Sequence, residues 1–511
     1  MKHDSIAVLD FGSQYSHLIV RRIRELGVHA ELLSPHMKAS ELKEYKGIIF
    51  SGGPQNLSDS DALIADIAIY ALPVPLLGIC YGLQLMAHQL GGSVGAGKER
   101  EYGPTDVTIT ETTGLFAGLN ATERVWMSHG DYVATVPEGF TVTAFSPTCP
   151  TAGMMNEKTK RYGIQFHPEV VHTKNGMRVL ENFIAITGAN KTWSLNEGWI
   201  EEQVSRIRTQ VGDSRVLCAL SGGVDSSVAA FLVHRAVGSQ LTCVYVDTGL
   251  MRKNETQEVR DAFAALPDLD FRVIEAESVF LEKLAGVTEP EEKRKIIGET
   301  FIRIFEKEAK TIGDAEFLVQ GTLYTDVITS GVSVGGVAAK IKSHHNVGGL
   351  PKDLSFSLIE PLRDLYKDEV RMLGRALGVP LTIVERQPFP GPGLAVRIIG
   401  DITPDRLHIL READAIFREE IKNANLGSAI QQYFTVLPVV RSVGVQGDAR
   451  TYGYPIILRA VTTTDFMTAD WARIPYEVLE KISTRITNEV KDVTRVVYDI
   501  TPKPPGTVEW E

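Results

Sequence analysis

The sequence lacks any apolar run of about 20 residues, the length that a membrane-spanning helix needs, so no membrane partner is expected. Its first residues, MKHDSIAVLD, contain no secretory hydrophobic region. Cysteine is scarce: the chain has 4, and none has the C-x-x-C spacing that favours a zinc site or a disulfide framework. Together these absences predict a cytoplasmic location with free thiols.

The composition also gives no sign of a basic surface. The chain carries a formal net charge of -11 over 511 residues, whereas nucleic-acid binders usually present a basic face, so no nucleic-acid partner is expected. Hydrophobic residues make up 43% and charged residues 23%, as is usual for globular proteins. At about 150 residues per domain, this length predicts roughly three domains.

Short apolar segments alternate with helical segments over the first two thirds of the chain. This alternation predicts parallel sheets with helices on their faces. It stops at Q-P-F-P-G-P-G, residues 387–393, because so many prolines and glycines end regular structure. The predicted fold is therefore α/β, with two consecutive parallel-sheet α/β domains at residues 1–190 and 191–386, followed by a smaller α+β domain at residues 387–511.

Cys80 lies in G-I-C-Y-G, between an apolar strand and a helical segment. The flanking glycines permit the sharp turn of a nucleophile elbow, and a helix N-terminus favours the thiolate form. The alternative is a buried structural cysteine, since free cysteines are often buried. That second interpretation is the one we give to Cys218 and Cys243, which lie inside apolar strands.

A base for such a nucleophile is available in the segment H-P-E. Pro168 favours an extended backbone, so the side chains of His167 and Glu169 point to the same side and the carboxylate can orient the imidazole. An isolated H-P-E is more often an ordinary loop, but a cysteine elbow in the same predicted domain favours the catalytic interpretation. The remaining histidines considered are interpreted as structural or exposed: His88, His129 and His172.

The turn S-G-G-P, residues 51–54, also follows a strand. Its amides can stabilise the oxyanion that forms when a thiolate attacks an acyl carbon, so these groups together specify acyl transfer from an amide or ester. The segments G-I-C-Y-G-L-Q, S-G-G-P and H-P-E resemble the class I glutamine amidotransferase family. The resemblance implies that Cys80 attacks the glutamine side-chain amide, that ammonia leaves and that water releases glutamate. It also assigns four residues to the loops around the oxyanion and the glutamine: Gly52, Gly53, Gly78 and Tyr81.

A second glycine-rich turn, S-G-G-V-D-S-S at residues 221–227, joins an apolar strand to a helical segment. Free amides and the positive helix end converge at such a turn, so it is a predicted phosphate site. Asp225 is explained if Mg²⁺ accompanies the phosphates, because carboxylates and phosphates share that hard ion. The alternative is a helix start that Asp and Ser cap. The lysine of the common G-x-x-x-x-G-K-[ST] loop is absent.

This loop resembles the pyrophosphate loop of the ATP pyrophosphatase superfamily, whose members split ATP between the α- and β-phosphates and pass AMP to an acceptor oxygen. No γ-phosphate is transferred in that chemistry, so the lysine that serves it is not required. The resemblance implies ATP as a cofactor, and the carboxylate in the loop predicts Mg²⁺ as a second one, with Asp225 as the metal contact. It assigns these residues to ATP: Ser221, Gly222, Gly223, Val224, Asp225, Ser226, Ser227 and Val246.

The later motifs resemble the glutamine-hydrolysing GMP synthetase family: K-S-H-H-N-V-G-G-L-P (342–351), Q-P-F-P-G-P-G-L-A-V-R (387–397), R-S-V-G-V-Q-G-D-A-R (441–450) and K-P-P-G-T-V-E-W-E (503–511). The resemblance implies glutamine, ATP and xanthosine 5′-monophosphate (XMP) as substrates, with the C2 oxygen of XMP adenylated before ammonia replaces AMP. It also implies a homodimer. It assigns XMP contacts to Arg252, Gln446, Lys503 and Glu509, and a lid to Lys342, His344 and His345. The lid lies in the run 340–349, which with 331–336 has a composition that predicts mobility.

Three other interpretations remain open from the sequence. Another adenylating amidotransferase, of the NAD or asparagine synthetase type, is disfavoured by the C-terminal motifs. An RNA-thiolating relative of the phosphate loop is disfavoured by the acidic charge balance. A binding or sensor protein with an inactive glutaminase is disfavoured because Cys80, His167 and Glu169 are all present.

Overall fold

The protein is described here from a computed structural model, in residues 3–313, 315–329, 356–463 and 468–511. By its contacts the chain forms two compact units. The first ends its main segment at Ser194 and also takes in 325–329 of the described residues, and the second begins at Leu195. In the ranges described, no helix combines the length and the apolar character that crossing a bilayer requires. The two segments with a composition that predicts mobility, 331–336 and 340–349, lie outside the described residues.

The first unit is built on one nine-stranded sheet, in the order β2-β1-β3-β4-β9-β8-β7-β5-β6. The first five strands of that order are parallel, and the remaining pairings are antiparallel. The strands are β1 (Ser5–Leu9), β2 (His29–Leu33), β3 (Gly47–Phe50), β4 (Leu76–Ile79), β5 (Ser93–Ile109), β6 (Thr122–Thr135), β7 (Thr141–Phe145), β8 (Gly153–Asn156) and β9 (Arg161–Ile164). The helices are α1 (Ser16–Glu25), α2 (Tyr81–Gln89) and α3 (Gly176–Thr187).

The central strands of this unit are buried on both faces, which explains their continuous apolar sequences. All four residues of β3 and of β4 are buried. Parallel pairing places the carboxyl ends of β3, β4 and β9 at one edge of the sheet. S-G-G-P follows β3, G-I-C-Y-G spans the end of β4, and H-P-E comes after β9, so the sheet brings the three motifs to the same edge.

The second unit begins with a five-stranded parallel sheet, in the order β12-β11-β10-β13-β14. Its strands are β10 (Arg215–Leu220), β11 (Leu241–Asp247), β12 (Asp270–Glu275), β13 (Ala315–Val319) and β14 (Ser357–Ile359). The helices of this region of the chain are α4 (Glu197–Val211), α5 (Val224–Val237), α6 (Glu255–Ala264), α7 (Glu277–Leu284), α8 (Pro290–Ile312), α9 (Tyr324–Thr329), α10 (Lys367–Ala376) and α11 (Leu381–Val384).

A third sheet, mostly antiparallel, lies in the same unit, in the order β15-β16-β18-β17, with β19 and β20 also paired to β18. Its strands are β15 (Ile398–Ile399), β16 (Gln432–Pro438), β17 (Ser442–Gln446), β18 (Ala449–Thr462), β19 (Asp470–Trp471) and β20 (Val493–Asp499). Two helices accompany it, α12 (Pro404–Asn423) and α13 (Tyr476–Glu489). The α/β class with a smaller C-terminal α+β part is thus confirmed.

The three-domain division at residues 190 and 386 stays a prediction. Within the second unit, one apolar core includes Leu217 and Val244 of the parallel sheet together with Leu407 and Phe417 of α12. Packing of this kind ties the two sheets into one compact body, although each sheet has its own topology.

Candidate functional site

Cys80 occupies a strained corner between β4 and α2. Its backbone angles are φ 52° and ψ -107°, a region that residues other than glycine rarely adopt. The thiol is buried, and Sγ is 3.7 Å from the Ser128 carbonyl oxygen, to which it donates. Gln165 Nε2 donates to the same sulfur at 3.5 Å. The strand-to-helix geometry therefore holds Sγ in one position at the N-terminus of a helix, as a nucleophile elbow requires.

The glycines around this corner are required by close backbone approaches. A Cβ on Gly78 would lie 2.5 Å from the Gly82 carbonyl oxygen. A Cβ on Gly53 would lie 2.6 Å from the Phe11 carbonyl oxygen and 3.2 Å from the Tyr81 ring. The S-G-G-P turn therefore packs directly against the first residue of α2, where Tyr81 also donates its hydroxyl to the Leu63 carbonyl at 2.8 Å.

His167 and Glu169 form a buried pair beside this corner. His167 Nδ1 is 2.7 Å from Glu169 Oε1, and both side chains are at most 4% exposed. Burial alone would lower the pKa of His167, but the charge of Glu169 and the hydrogen bond to Cys80 outweigh it and raise the pKa well above its usual value. The carboxylate is thus hydrogen-bonded to the imidazole, and Cys80 lies close enough to the imidazole to raise its pKa.

The imidazole is also fixed from its other sides. The backbone carbonyl of His167 accepts a hydrogen bond from the Thr173 hydroxyl at 2.6 Å. The Tyr15 ring meets the imidazole edge-on, with 5.5 Å between the ring centroids. A Cβ on Gly52 would come within 3.0 Å of His167 Cε1, so the S-G-G-P turn lies against the imidazole as well. The structure therefore brings together all the residues that the sequence assigns to this thiol site.

Two glutamines at this site were not found from the sequence. Gln165 is fully buried, and its side-chain oxygen accepts from Gln84 Nε2 at 3.3 Å. Gln84 also donates to the Asp131 carbonyl at 2.8 Å. The sequence spacing indicates Gln84, because this residue comes four positions after Cys80 and so faces the same side of α2.

A second buried cluster lies in the same unit. His129 Nε2 is 2.9 Å from Glu101 Oε2, a carboxylate partner that is 28 residues away in the sequence. Burial lowers the pKa of His129, although the charge of Glu101 acts to raise it. Cys149 completes the cluster, and burial raises the pKa of its thiol to about 12. Of the other two histidines, His88 is exposed and the ring of His172 packs on Trp126 at 4.5 Å.

The loop at residues 221–227 has the predicted strand–turn–helix geometry between β10 and α5. Gly222 has φ +75°, the left-handed region that favours glycine. Ser221 Oγ and Ser226 Oγ lie 3.0 Å apart, and the Gly223 amide donates to Ser221 Oγ at 3.3 Å. The serine hydroxyls thus bond to the loop's own polar groups, and the Ser227 hydroxyl is buried with no hydrogen-bond partner among the described residues.

A lysine reaches this loop from a distant part of the chain. Lys367, the first residue of α10, places Nζ 2.7 and 2.6 Å from the two carboxylate oxygens of Asp225. A cation therefore lies at the loop even though the local motif lacks a lysine. No local signal could have identified Lys367, because it is 142 residues away from Asp225 in the sequence.

Arg252 is buried rather than open to a ligand. Its guanidinium lies 3.2 Å from Glu255 Oε1 and donates to the Pro388 carbonyl at 3.0 Å. It also stacks over the Phe389 ring at 4.3 Å. Burial lowers the pKa of Arg252 to about 10. In this structure Arg252 therefore holds the Q-P-F-P-G segment in place.

Glu509 is held by a buried cation. Arg397, which is fully buried, donates to both carboxylate oxygens of Glu509, at 3.1 and 2.8 Å, and Gln432 Nε2 donates at 2.7 Å. The Arg397 guanidinium also lies 5.2 Å from the centre of the Phe389 ring, on which Arg252 stacks. Arg252 and Glu509 therefore belong to one connected cluster around Phe389.

Lys503 is anchored through its backbone, which pairs with Ala469 in both directions at 3.0 and 2.7 Å. The tail that follows closes one side of a cavity of about 480 Å³ against β18 and β20. Glu509 and Trp510 line this cavity together with Asp499, which accepts from Trp510 Nε1 at 2.9 Å. A cavity of this size suits a small-molecule ligand.

The remaining assignments fall outside what can be described. Lys342, His344 and His345 lie outside the described residues, and the same is true of the Gln446 side chain, although its backbone ends β17. Val246 lies buried on β11, and the residue before it, Tyr245, pairs with Leu220 at the end of β10.

Comparison with known proteins adds three family matches in succession along the chain. Residues 7–186 match the family described as Glutamine amidotransferase class-I, and residues 211–379 match Thiamine biosynthesis protein (ThiI). Residues 419–510 match GMP synthase C terminal domain. The order of these matches follows the order of the thiol site, the phosphate loop and the C-terminal sheet.

Similar proteins extend over the whole length. The chain is 57% identical over 515 residues to GMP synthase (glutamine-hydrolyzing) of Acetivibrio thermocellus, with 100% of both chains covered. It is also 57% identical over 514 residues to the protein of that name from Geobacillus kaustophilus, again with 100% of both covered. The corresponding protein of Clostridium perfringens is 55% identical over 511 residues, which cover 99% of this chain and 100% of the relative.

Proposed function

The chain belongs to the glutamine-hydrolysing GMP synthase family, and from this premise we propose how its residues divide the reaction. Ammonia is released from glutamine and then converts XMP into GMP, while ATP is cleaved to AMP and pyrophosphate. The thiol site of the first unit carries out the glutamine chemistry, and the second unit carries out the nucleotide chemistry.

In the glutamine reaction, His167 holds the thiol proton as an imidazolium, and Cys80 Sγ attacks the side-chain carbonyl carbon as the thiolate. The imidazolium then gives that proton to the departing nitrogen, so ammonia leaves and a thioester remains. Water, deprotonated by His167, releases glutamate and restores the thiol. Glu169 holds the imidazolium throughout, which the raised pKa of His167 supports. We assign the oxyanion donors to the amides of Gly53 and Tyr81, whose residues are packed together.

In the nucleotide reaction, the C2 oxygen of XMP attacks the α-phosphorus of ATP and pyrophosphate leaves. Ammonia then attacks C2, and the oxygen departs with AMP. We assign pyrophosphate to the loop at 221–227, where the Ser221 and Ser226 hydroxyls can turn from each other to the phosphate oxygens. Lys367 supplies the positive charge, because its ammonium already lies at the loop.

Mg²⁺ fits this site as a partner of the phosphates. Magnesium is usually held by one or two carboxylates together with substrate phosphates, and Asp225 offers one carboxylate at the loop. In the described part of the chain, Asp225 belongs to no cluster of three metal-ligating side chains. The remaining ligands of the ion would therefore come from the phosphates instead of the protein. When bound, the ion would neutralise phosphate charge.

For XMP we propose the cluster around Phe389 and the cavity that the tail 506–510 closes. Lys503 carries a charge suited to the phosphate, and Glu509 a carboxylate suited to base or sugar donors, with its orientation set by Arg397. Substituting Lys503→Met should raise the KM for XMP more than the KM for ATP. The lid at Lys342, His344 and His345, the homodimer and the cytoplasmic location remain proposals drawn from the family resemblance.

One observation carries this proposal: the same chain holds the Cys80 corner with its His167–Glu169 pair and a phosphate loop with its own lysine. The test supplies purified protein with ATP, Mg²⁺, glutamine and XMP labelled with ¹⁸O at C2. We expect GMP, glutamate, pyrophosphate and AMP, with the label in the phosphate of AMP. Release of ADP, or label in water instead of AMP, would contradict adenylation of the C2 oxygen.

A further inference from the structure

The buried cluster of Glu101, His129 and Cys149 has no part in either reaction. It lies in the first unit, where β5 carries Glu101 and the neighbouring β6 carries His129. Cys149 follows β7 in a turn in which its amide donates to Ser146 Oγ at 2.9 Å. One carboxylate oxygen, one imidazole nitrogen and one sulfur from these residues all lie within 4.8 Å of one another.

We propose that Glu101, His129 and Cys149 form a binding site for a borderline-soft divalent metal ion of the Zn²⁺ class. Thiolate, imidazole and carboxylate are the donor types that zinc takes in proteins, and three protein donors with an open fourth position are a common set. Magnesium is a poor occupant, because it prefers oxygen donors.

The histidine is oriented as a metal ligand would be. Its Nδ1 lies 3.0 Å from the Asp131 carbonyl oxygen, so Nδ1 carries the proton and donates it. Its Nε2 then faces Glu101 Oε2 at 2.9 Å. Metal-bound histidines commonly donate their second ring N–H to a carbonyl or carboxylate, which fixes the ring and frees the other nitrogen for the ion.

The carboxylate is fixed from its far side. Glu101 Oε1 accepts from the Ser146 hydroxyl at 2.7 Å and also contacts the Thr148 hydroxyl, which leaves Oε2 facing the histidine. Tetrahedral zinc places its donor atoms about 3.5 Å apart, so the three side chains need to move by only about 1 Å. Binding would replace two protons, the thiol proton of Cys149 and the proton shared by His129 Nε2 and Glu101 Oε2, and both are released to solvent.

The cluster borders the thiol site. Ser128, the residue before His129, offers the carbonyl that accepts from Cys80 Sγ at 3.7 Å. Cys80 and His167 could themselves bind a soft metal ion, so the test uses full-length protein with Cys80→Ser, in which that alternative site has lost its sulfur. Co²⁺ is the probe, because a bound thiolate gives it a charge-transfer absorption band that reports the sulfur ligand directly.

We expect the Cys80→Ser protein to retain a single equivalent of Co²⁺ with the thiolate band, which Zn²⁺ displaces and Mg²⁺ does not. Adding Cys149→Ser should abolish the band. Adding Cys218→Ser, which changes another buried cysteine on β10, should leave it unchanged. A band that survives Cys149→Ser, or that never forms in Cys80→Ser, overturns the assignment.

A second variant covers the case in which Cys149→Ser does not fold. Adding His129→Gln to Cys80→Ser removes the nitrogen ligand while keeping a side chain of similar reach. With a native circular dichroism spectrum, this protein should bind Co²⁺ at least about tenfold more weakly than its parent. Equal affinity would overturn the proposal.

Discussion

Lys367 Nζ bridges both carboxylate oxygens of Asp225, at 2.7 and 2.6 Å, across 142 residues of sequence. The pair lies at the N-terminus of α5, where the dipole of the helix favours negative charge. A triphosphate arriving at the loop would compete with Asp225 for this lysine.

Replacing Lys367→Met should lower kcat/KM for ATP by about 10²-fold, because a charged donor to the phosphates is lost. Steady-state GMP formation with saturating ammonium and XMP measures this effect without involving the thiol site. Lys422→Met, which removes an exposed lysine near the end of α12, serves as the control and should leave the rate unchanged. A Lys367→Met protein with normal kcat/KM would show that the lysine merely stabilises Asp225.

Replacing Cys80→Ala should abolish glutamine-dependent GMP synthesis but leave ammonium-dependent synthesis near its normal rate. The thiol has no role in the nucleotide reaction, which needs only free ammonia. Parallel assays with glutamine and with ammonium chloride measure the two activities. Loss of both activities in a folded variant would show that the division of labour between the two sites is wrong.

Replacing Gly78→Ala should remove glutamine hydrolysis without touching any catalytic group. The new Cβ would lie 2.5 Å from the Gly82 carbonyl oxygen, so the corner that positions Cys80 must shift. Gly95→Ala, on β5, is the matched control, because its nearest neighbour would be a methyl carbon at 3.8 Å. Glutaminase rates of the two variants should differ by at least about 10²-fold, since small misplacements of reacting groups carry penalties of this order.

The His167–Glu169 pair should make stability depend on pH in a defined direction. The pKa of His167 is raised in the folded protein, so its charged form contributes fully below the unfolded value and progressively less as pH rises through the folded value. Glu169→Gln removes the carboxylate partner. The Tm difference between the parent and this variant should therefore be larger near about pH 6 than near about pH 9.

A Tm difference between the parent and Glu169→Gln that grows with rising pH would contradict a charged imidazole in the folded state. The same variant should lose about 10²–10⁴-fold in glutaminase kcat, the usual range for a misoriented general base. Differential scanning calorimetry over that pH range provides the Tm values.

Replacing Glu509→Ala should destabilise the second unit strongly, by about 3–5 kcal/mol, because it leaves the fully buried Arg397 guanidinium without its charge partner. Glu489→Ala removes a carboxylate from a more exposed pair with Arg485, and should change stability by at most about 1 kcal/mol. Urea midpoints for the two variants test the contrast. Equal shifts would mean that Arg397 finds another partner.

The sequence was sufficient for those parts of the fold and site that depend on neighbouring residues. A buried strand, a glycine turn and a helix are contiguous at Cys80 and at 221–227, so local patterns predicted both corners. The spacing of His167 and Glu169 predicted that they would face each other, and they do. Parallel pairing then explains why separate motifs meet at one sheet edge.

What the sequence did not reveal depends on distant partners. Lys367 reaches Asp225 from another helix, and Glu101 pairs with His129 across two strands. Strand β18 runs from Ala449 to Thr462 because neighbouring strands on both sides supply its hydrogen bonds. No periodicity within one segment records such partners, since they are chosen by tertiary packing.

The ion pair at the phosphate loop also bears on which anions the empty site attracts. A free phosphate or sulfate ion, abundant in any cell, finds Lys367 already neutralised and Asp225 repelling it. A nucleotide that arrives with a divalent cation gives Asp225 a new counter-ion as its phosphates bind Lys367. We therefore expect the loop to favour solutes that exchange both charges together over simple anions, which can replace only one of them.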